Sequence, residues 1–515
     1  MKCVVFGAKY LHIEKIYLFL QSRMCFEIST IDYKLQLIFN QMKMKKLLSA
    51  SAIAALALLG FNANAGNVDA NTARMTAKNF VNQRVGAHKA FQSTASVSDI
   101  KLAHTEASSV EGNAYYVFNI QGGGWVIVAG DDHAKQVLAY GDKGNIDMKD
   151  LPGGMESQLN QYKKQIEHMQ SFKGEVAPIK AYKRSTVVEP LLKTNWGQGE
   201  PMNRLCPMNG TKRTSVGCGP LSMAQIMYYW KYPEGSEAMS SYYAYPGVGT
   251  VPALEATTFN YDLMIDHYHI YNPETNGVSL GTYTEEQANE VAKLSRYCGH
   301  ASKARYGNSG TTGTGTYSYD VLAALKLFGF NSEAKLIGID PSYYCDNYVV
   351  GGGGKYTDEE WAALIYTELE AGRPIPYCNV DPFDGHAWVL DGVDADGKFH
   401  MNWGFYGKFN GWFELNALII VPYDDEEVWN FSGGSNEMII DMYPYEGYVI
   451  PGAFTRGDVN NDGEIKISDV TALINYLLSG DATSINLQAA DCNQDGEIKI
   501  ADVTALINYL LSGAW

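Results

Sequence analysis

Positive charge is scarce in this sequence. Its 40 Lys and Arg residues stand against 57 Asp and Glu, for a formal net charge of -17. A sequence-independent nucleic-acid binder needs a basic face, so the balance argues against that class. Long apolar runs are missing too: none reaches the ~20 residues that span a bilayer. Cysteine is thin, with eight residues in 515, which does not make a disulfide scaffold. What is present is a globular balance of 46% hydrophobic and 19% charged residues. The 51 Gly and 35 Tyr suggest strands, turns and aromatic surfaces. At roughly 100–200 residues per domain, the length suits three or four units.

Residues 44–65 have the pattern of a secretory signal peptide. Lys45 and Lys46 give a charged start, Leu47 to Leu59 a short apolar core, and Ala63-Asn64-Ala65 a small-x-small cleavage site. No Cys follows the cut, so a lipid anchor is not indicated. A signal belongs at a chain start, so residues 1–43 are expected to be an upstream translation artefact, with initiation at Met44 or Met42. The rival is a cytoplasmic extension before an uncleaved anchor. On the first reading Cys3 and Cys25 drop out, leaving six cysteines in an exported chain.

Residues 66–186 suggest a small α+β unit. Ala77 to Gln83 suits a short helix, and Gln121-Gly122-Gly123-Gly124 between two apolar runs (Ala114 to Ile120, Trp125 to Ala129) is a hairpin signal. Met155, Leu159, Tyr162, Ile166 and Met169 mark an amphipathic helix. Lys173 to Arg184 looks like a linker, with Lys183-Arg184 an easy cleavage target. Residues 187–446 form a larger unit. Capping boxes at Thr284/Gln287 and Thr357/Glu360 open helices, Gly372 stops the second, and four strand-like runs follow between Ile375 and Leu415. Helices before a mostly antiparallel sheet indicate the α+β class. Residues 447–456 read as a linker, and 457–515 hold a repeat with a 33-residue period.

The middle unit carries residues suited to nucleophilic catalysis. Cys218 lies in Val216-Gly217-Cys218-Gly219-Pro220, just before the helical run Leu221 to Trp230. A thiol at a helix N-terminus is pushed toward thiolate by unpaired amides and the macrodipole. A free Cys is also often a buried structural thiol. His386 opens the strand-like His386 to Gly392, and small Gly385 before it leaves room for a substrate backbone. Taken alone, His386 also suits a polar residue at a sheet edge. Asn402-Trp403-Gly404 follows another strand; the amide could hold the imidazole tautomer and the indole could shield that bond. Gln198, in Trp196-Gly197-Gln198-Gly199, could donate to a developing oxyanion together with the Cys218 backbone N–H.

The chain order Gln198, Cys218, His386, Asn402 and its context resemble the streptopain family of bacterial papain-like cysteine peptidases. The matching stretches are Leu191 to Gln198, Val216-Gly217-Cys218 with Met223 to Trp230, Gly385 to Gly392, and His400 to Gly404. The resemblance covers residues 66–446, because the first unit looks like that family's inhibitory prodomain. One departure is Gly219-Pro220, where the family has a Val-Ala pair. The resemblance implies a papain-like catalytic domain, a zymogen, a hydrophobic residue two positions before the cut bond accepted beside Gly385, and Thr312 in place of a substrate-contacting Ser. Cys206, Cys298, Cys345 and Cys378 allow three disulfide connectivities or free thiols.

In the repeat, Asp458, Asn460, Asp462, Gly463 and Asp469 fall at loop positions 1, 3, 5, 6 and 12; Asp491, Asn493, Asp495, Gly496 and Asp502 repeat them. Oxygens at those offsets wrap one calcium ion. The repeats resemble dockerin modules, which implies backbone ligation at Glu464 and Glu497 and a cohesin-type partner. Lys466 and Lys499 occupy position 9, where an oxygen is common. The unpartnered alternative is a folding or sorting tail.

The expectation is therefore a three-part α+β protein: a small α+β prodomain, a papain-like cysteine peptidase domain, and an all-α calcium-binding dockerin-like pair of helices. It would be exported, secreted or held at the cell surface, and act on proteins or peptides with no cofactor in catalysis. It would have no transmembrane anchor and no nucleic-acid partner. The rivals are a Cys/His amidase or acyltransferase acting on cell-wall peptides, and a non-catalytic surface scaffold.

Overall fold

The computed structural model describes residues 66–513 except 86–90, 92, 175, 180–185, 273, 276, 308–312, 339–355, 381–384, 423–434, 445–455, 461, 463, 481–484 and 494–497. The expected leader, the Lys183-Arg184 cleavage target, Cys345, Thr312, Asp495 and Glu497 lie outside the described residues.

The N-terminal unit opens with α1 (Ala70–Arg84), longer than the short helix expected because Asp69 caps it, accepting from Asn71 and Thr72 N–H. Strands β1 (Ile100–Ala107), β2 (Asn113–Ile120), β3 (Trp125–Ala129) and β4 (Val137–Gly141) follow, then the amphipathic helix α2 (Gly153–Ser171). β2 and β3 pair antiparallel around the glycine turn.

In the central unit, α3 (Cys218–Trp230), α4 (Glu285–Ala301) and α5 (Ser318–Leu327) pack together before β5 (Lys335–Gly338). Then come α6 (Asp358–Glu370), β6 (Ile375–Val380), β7 (Gly385–Val393), β8 (Phe399–Asn402), β9 (Gly411–Phe413) and β10 (Ser435–Ile440). Both expected capping boxes form, at Thr284/Gln287 and Thr357/Glu360.

The two units share one ten-stranded sheet, in the order β1-β2-β3-β4-β9-β8-β7-β6-β10-β5. The seam is the antiparallel pair β4/β9, Tyr140 opposite Trp412 and Ala139 opposite Phe413. Both faces of the sheet are covered, which explains the near-continuous apolar strands. In β7, Trp388 and Leu390 enter one core with Trp125, Tyr162, Trp361 and Trp403, while Val389 enters the other with α3 and α4. Each fully buried large side chain contributes about 1.5–3 kcal/mol through lost water contact, so the first core binds the N-terminal and central units together.

At the C-terminus, α7 (Ile467–Ser479) and α8 (Ile500–Ser512) are 13 residues each, and a short helical turn, Leu487–Ala490, lies between them. They close a small core of Val459, Val470, Leu473, Cys492, Val503 and Leu506. Among the described residues, no helix is long and apolar enough to cross a membrane.

Candidate active site

Cys218 is the first residue of α3. Gly217 before it has φ +97°, a conformation that favours glycine, and a Cβ there would stand 3.0 Å from Thr314 Cγ2. Pro220 fits the first turn, where no N–H donor is needed, and Leu221 N–H closes that turn on Gly217 O at 3.0 Å. Gly219 is also constrained: a Cβ would collide with Thr316. That contact gives a local reason for Gly219 in the pair that departs from the streptopain pattern.

His386 and Cys218 are hydrogen-bonded to each other. Burial pushes the thiol up. The His386 bond and charge, with the N–H groups of Ala387 and Gly219, outweigh it and hold Cys218 below the usual thiol range. The thiol is half-buried, as is His386, and Gly385 is exposed at the strand start. The other cysteines differ. Burial pushes the Cys206 thiol up to about 12 and that of Cys298 higher still. No disulfide joins the described cysteines.

Gln198 is tied by its backbone to the segment that leads to Cys218: its carbonyl accepts from Val216 N–H at 3.0 Å, two residues before Cys218. Asn402 is 2% exposed. Its Nδ2 donates to Thr194 O at 2.9 Å and its Oδ1 accepts from Gly404 N–H at 3.2 Å, so the amide ties the end of β8 to the Thr194 segment. Trp403 packs on Trp388 at a tilt of 55° with ring centroids 5.0 Å apart, and donates from Nε1 to Phe409 O at 2.9 Å.

The N-terminal unit reaches this site through the start of α2. A Cβ on Gly153 would collide with the His386 ring, and one on Gly154 would lie 2.8 Å from Trp388 and 3.0 Å from Trp403. One turn on, Ser157 Oγ donates to Asn379 Oδ1 at 2.6 Å, and Asn379 Nδ2 donates to Asn436 Oδ1 at 2.7 Å. Asn379 stands directly opposite His386 across β6/β7. Sequence reasoning missed these contacts. The only local signal was Pro152-Gly153-Gly154 ahead of an amphipathic helix.

In the C-terminal loops, Asp469 and Asp502 are fully buried, and Asp458 is 4% exposed. Asp469 accepts from Asn460 N–H at 3.0 Å and Lys466 N–H at 2.8 Å; Asp502 accepts from Asn493 and Lys499 N–H at 3.0 and 2.7 Å. Asp462 N–H is shared by Asp458 Oδ1 and Asn460 Oδ1, at 3.0 and 2.9 Å. Asp462 and Glu464 are exposed, and Asp491 and Asn493 half-buried. Buried carboxylates held by N–H groups fit a cation, because an ionised carboxylate away from water needs a positive partner.

The sequence pattern of the Peptidase C10 family matches residues 196–413, that of the Spi protease inhibitor residues 65–166, and that of the Dockerin type I domain residues 456–511. The chain is 29% identical over 408 residues to Streptopain of Streptococcus pyogenes serotype M1, covering 73% of this chain and 93% of that protein. It is 29% identical over 373 residues to Thiol protease/hemagglutinin PrtT of Porphyromonas gingivalis, covering 69% of this chain but only 39% of that longer protein. A solved fragment of Prevotella intermedia prointerpain A superposes with a TM-score of 0.52 at 27% identity, covering 67% of this chain and 98% of the fragment. The central unit carries the sequence pattern of the peptidase C10 family and is a papain-like cysteine peptidase domain, with a region of the Spi inhibitor type before it and a dockerin type I domain after it.

Proposed function

We propose that this C10 peptidase is an exported endopeptidase made as an inactive precursor, with residues 44–65 as leader, 66–186 as inhibitory unit, 187–446 as enzyme, 447–456 as linker and 457–515 as docking tail. The observation that carries the reading is the Cys218–His386 hydrogen bond at a helix N-terminus, with the thiol held low. The Cys218 thiolate attacks the scissile carbonyl carbon and a C–S bond forms. The Gln198 amide and the Cys218 N–H stabilise the oxyanion. His386 gives its proton to the leaving nitrogen as the C–N bond breaks. It then takes a proton from water, whose oxygen displaces Cys218 from the thioester. Asn402 and Trp403 serve the imidazole: the first braces the end of its neighbouring strand, and the second shields it from water.

Gly385 leaves room for the substrate backbone, beside a pocket for a hydrophobic residue two positions before the cut; Thr312 would flank it. In the tail, Asp458, Asn460, Asp462, Glu464 and Asp469 would hold one structural calcium ion, and Asp491, Asn493, Asp495, Glu497 and Asp502 a second. The tail would dock to a cohesin-type protein and hold the secreted enzyme at a surface assembly.

The test compares the chain from Gly66 with its Cys218→Ala variant, incubated with casein under reducing conditions. Loss of the segment before about Val187 and casein cleavage are expected only with Cys218 present. Iodoacetamide should alkylate Cys218 with a pH midpoint below the ~8.5 of an ordinary thiol, and His386→Ala should raise that midpoint. Inactivity that persists after another protease has removed the N-terminal unit would sink the reading.

A further inference from the structure

The loop that carries Gln198 is not self-supporting. Glycines flank Gln198 on both sides, and both lie against one side chain from the far half of the central unit. A Cβ on Gly197 would collide with the Tyr406 ring, and one on Gly199 would stand 2.5 Å from its hydroxyl, with the next ring carbon at 3.7 Å. Two hydrogen bonds bracket the same stretch. Tyr406 N–H donates to Trp196 O at 3.1 Å, and Tyr406 Oη accepts from Gly199 N–H at 3.0 Å. The ring also meets His269 at a tilt, with centroids 4.4 Å apart. Tyr406 itself has φ +61°, a left-handed conformation that costs a tyrosine about 1–2 kcal/mol. Neither bond forms if the backbone leaves that conformation.

We infer that Tyr406 is a positioning residue for the peptidase reaction, clamping residues 196–199 so that the Gln198 amide is held toward Cys218. The inference rests on the assignment of Gln198 as an oxyanion donor. The path is short. Tyr406 holds residues 196 and 199, Gln198 O accepts from Val216 N–H, and Val216 leads through Gly217 to Cys218. A donor to a developing oxyanion acts only if it is already aimed at the reacting atom. Gln198 is half-buried and lies between two glycines, which alone would leave it many orientations. Burial pushes the Tyr406 phenol up, so the hydroxyl stays neutral across the pH range where a thiolate peptidase works.

The experiment uses the full chain after removal of the N-terminal unit, with active sites titrated by thiol alkylation so that rates refer to folded enzyme. Tyr406→Phe keeps the ring and removes the acceptor. It should lower kcat on a peptide substrate by roughly tenfold, with KM and the pH midpoint of Cys218 alkylation unchanged. In a Gln198→Ala background, the same substitution should cost no more than about twofold, because the group it positions is gone. Gly199→Ala should lower kcat in the parent and much less when combined with Tyr406→Phe, which removes the colliding oxygen. An equal loss from Tyr406→Phe in both backgrounds, or a shifted alkylation midpoint, would overturn the inference in favour of a general structural role. Parental kcat in Tyr406→Phe beside an impaired Gln198→Ala would overturn it alone. Parental kcat in Gln198→Ala would overturn it together with the oxyanion assignment.

Discussion

The N-terminal unit shares a sheet and a core with the peptidase unit, whereas the C-terminal module keeps its apolar residues to itself. At the first junction, β4 pairs with β9, and Trp125 packs on Phe413 with ring centroids 5.7 Å apart. Charges are buried there as well. Glu414 bonds Lys135 of the N-terminal unit and Lys398 of its own, each at 2.7 Å, and Arg84 pairs with Asp394 at 3.1 Å. The C-terminal core draws only on residues 459–510. The difference is in what each contact must do. The N-terminal unit packs against His386 and is built into the peptidase's own layers. A module with its own core can fold by itself, and a core of this size is marginal unless something else supports it.

Removing calcium tests the second half of this comparison and has the largest expected effect. Chelation should unfold both 13-residue helices of the tail, seen as lost far-ultraviolet helical signal. Casein cleavage by the same sample should stay within about twofold of its original rate, since the peptidase core does not depend on that module. A parallel loss of activity would break the comparison.

A smaller effect is expected from Gly153→Leu. The new side chain must enter the space held by the His386 ring, and overpacking of this kind costs about 2 kcal/mol, or roughly thirtyfold in occupancy. The precursor should process itself faster by about that factor, read as loss of the N-terminal segment with time. Unchanged processing would mean that the Gly153 contact does not hold the precursor closed.

The smallest of the three concerns the buried charge pair. Burial pushes the Glu414 carboxyl up; Lys135 and Lys398 outweigh that and hold it below the usual carboxylate range. A carboxylate lowered in the folded state adds stability above its unfolded value, about 4.3, and that stability is lost as pH falls through the folded value. The junction should therefore loosen below about pH 4. Lys135→Ala should cost about 1 kcal/mol at neutral pH, since Lys398 still pairs Glu414, and move the onset of loosening upward, measured by proteolysis of the N-terminal segment across a pH series.

Much of the peptidase was legible in local pattern. Gly217-Cys218-Gly219-Pro220 reads as a tight turn into a helix, and the structure has that turn, with φ +97° at Gly217. The strand expected at Ile375–Val380 has those bounds, and that at His386–Gly392 extends by one residue at each end. The capping boxes and the duplicated loop-helix pattern were equally local. Other features had no local signature. Asn402 bonds Thr194 O and Gly404 N–H where β8 ends, contacts its own stretch of sequence does not announce. Tyr406 looked like one tyrosine among 35. Its partner Gly199 lies 207 residues earlier.

The sequence by itself determined the chemistry on offer: a thiol at a helix start, an imidazole at a strand start, and oxygens at calcium spacing. These depend on neighbours within a turn or a loop, where backbone geometry follows from a few adjacent residues. Only the tertiary structure decided that the N-terminal unit joins the peptidase's sheet, that Gly153 meets His386, and that Tyr406 grips the Gln198 loop. Such contacts join residues far apart in the chain. Packing and strand pairing choose them through shape and burial, which no single stretch of sequence contains.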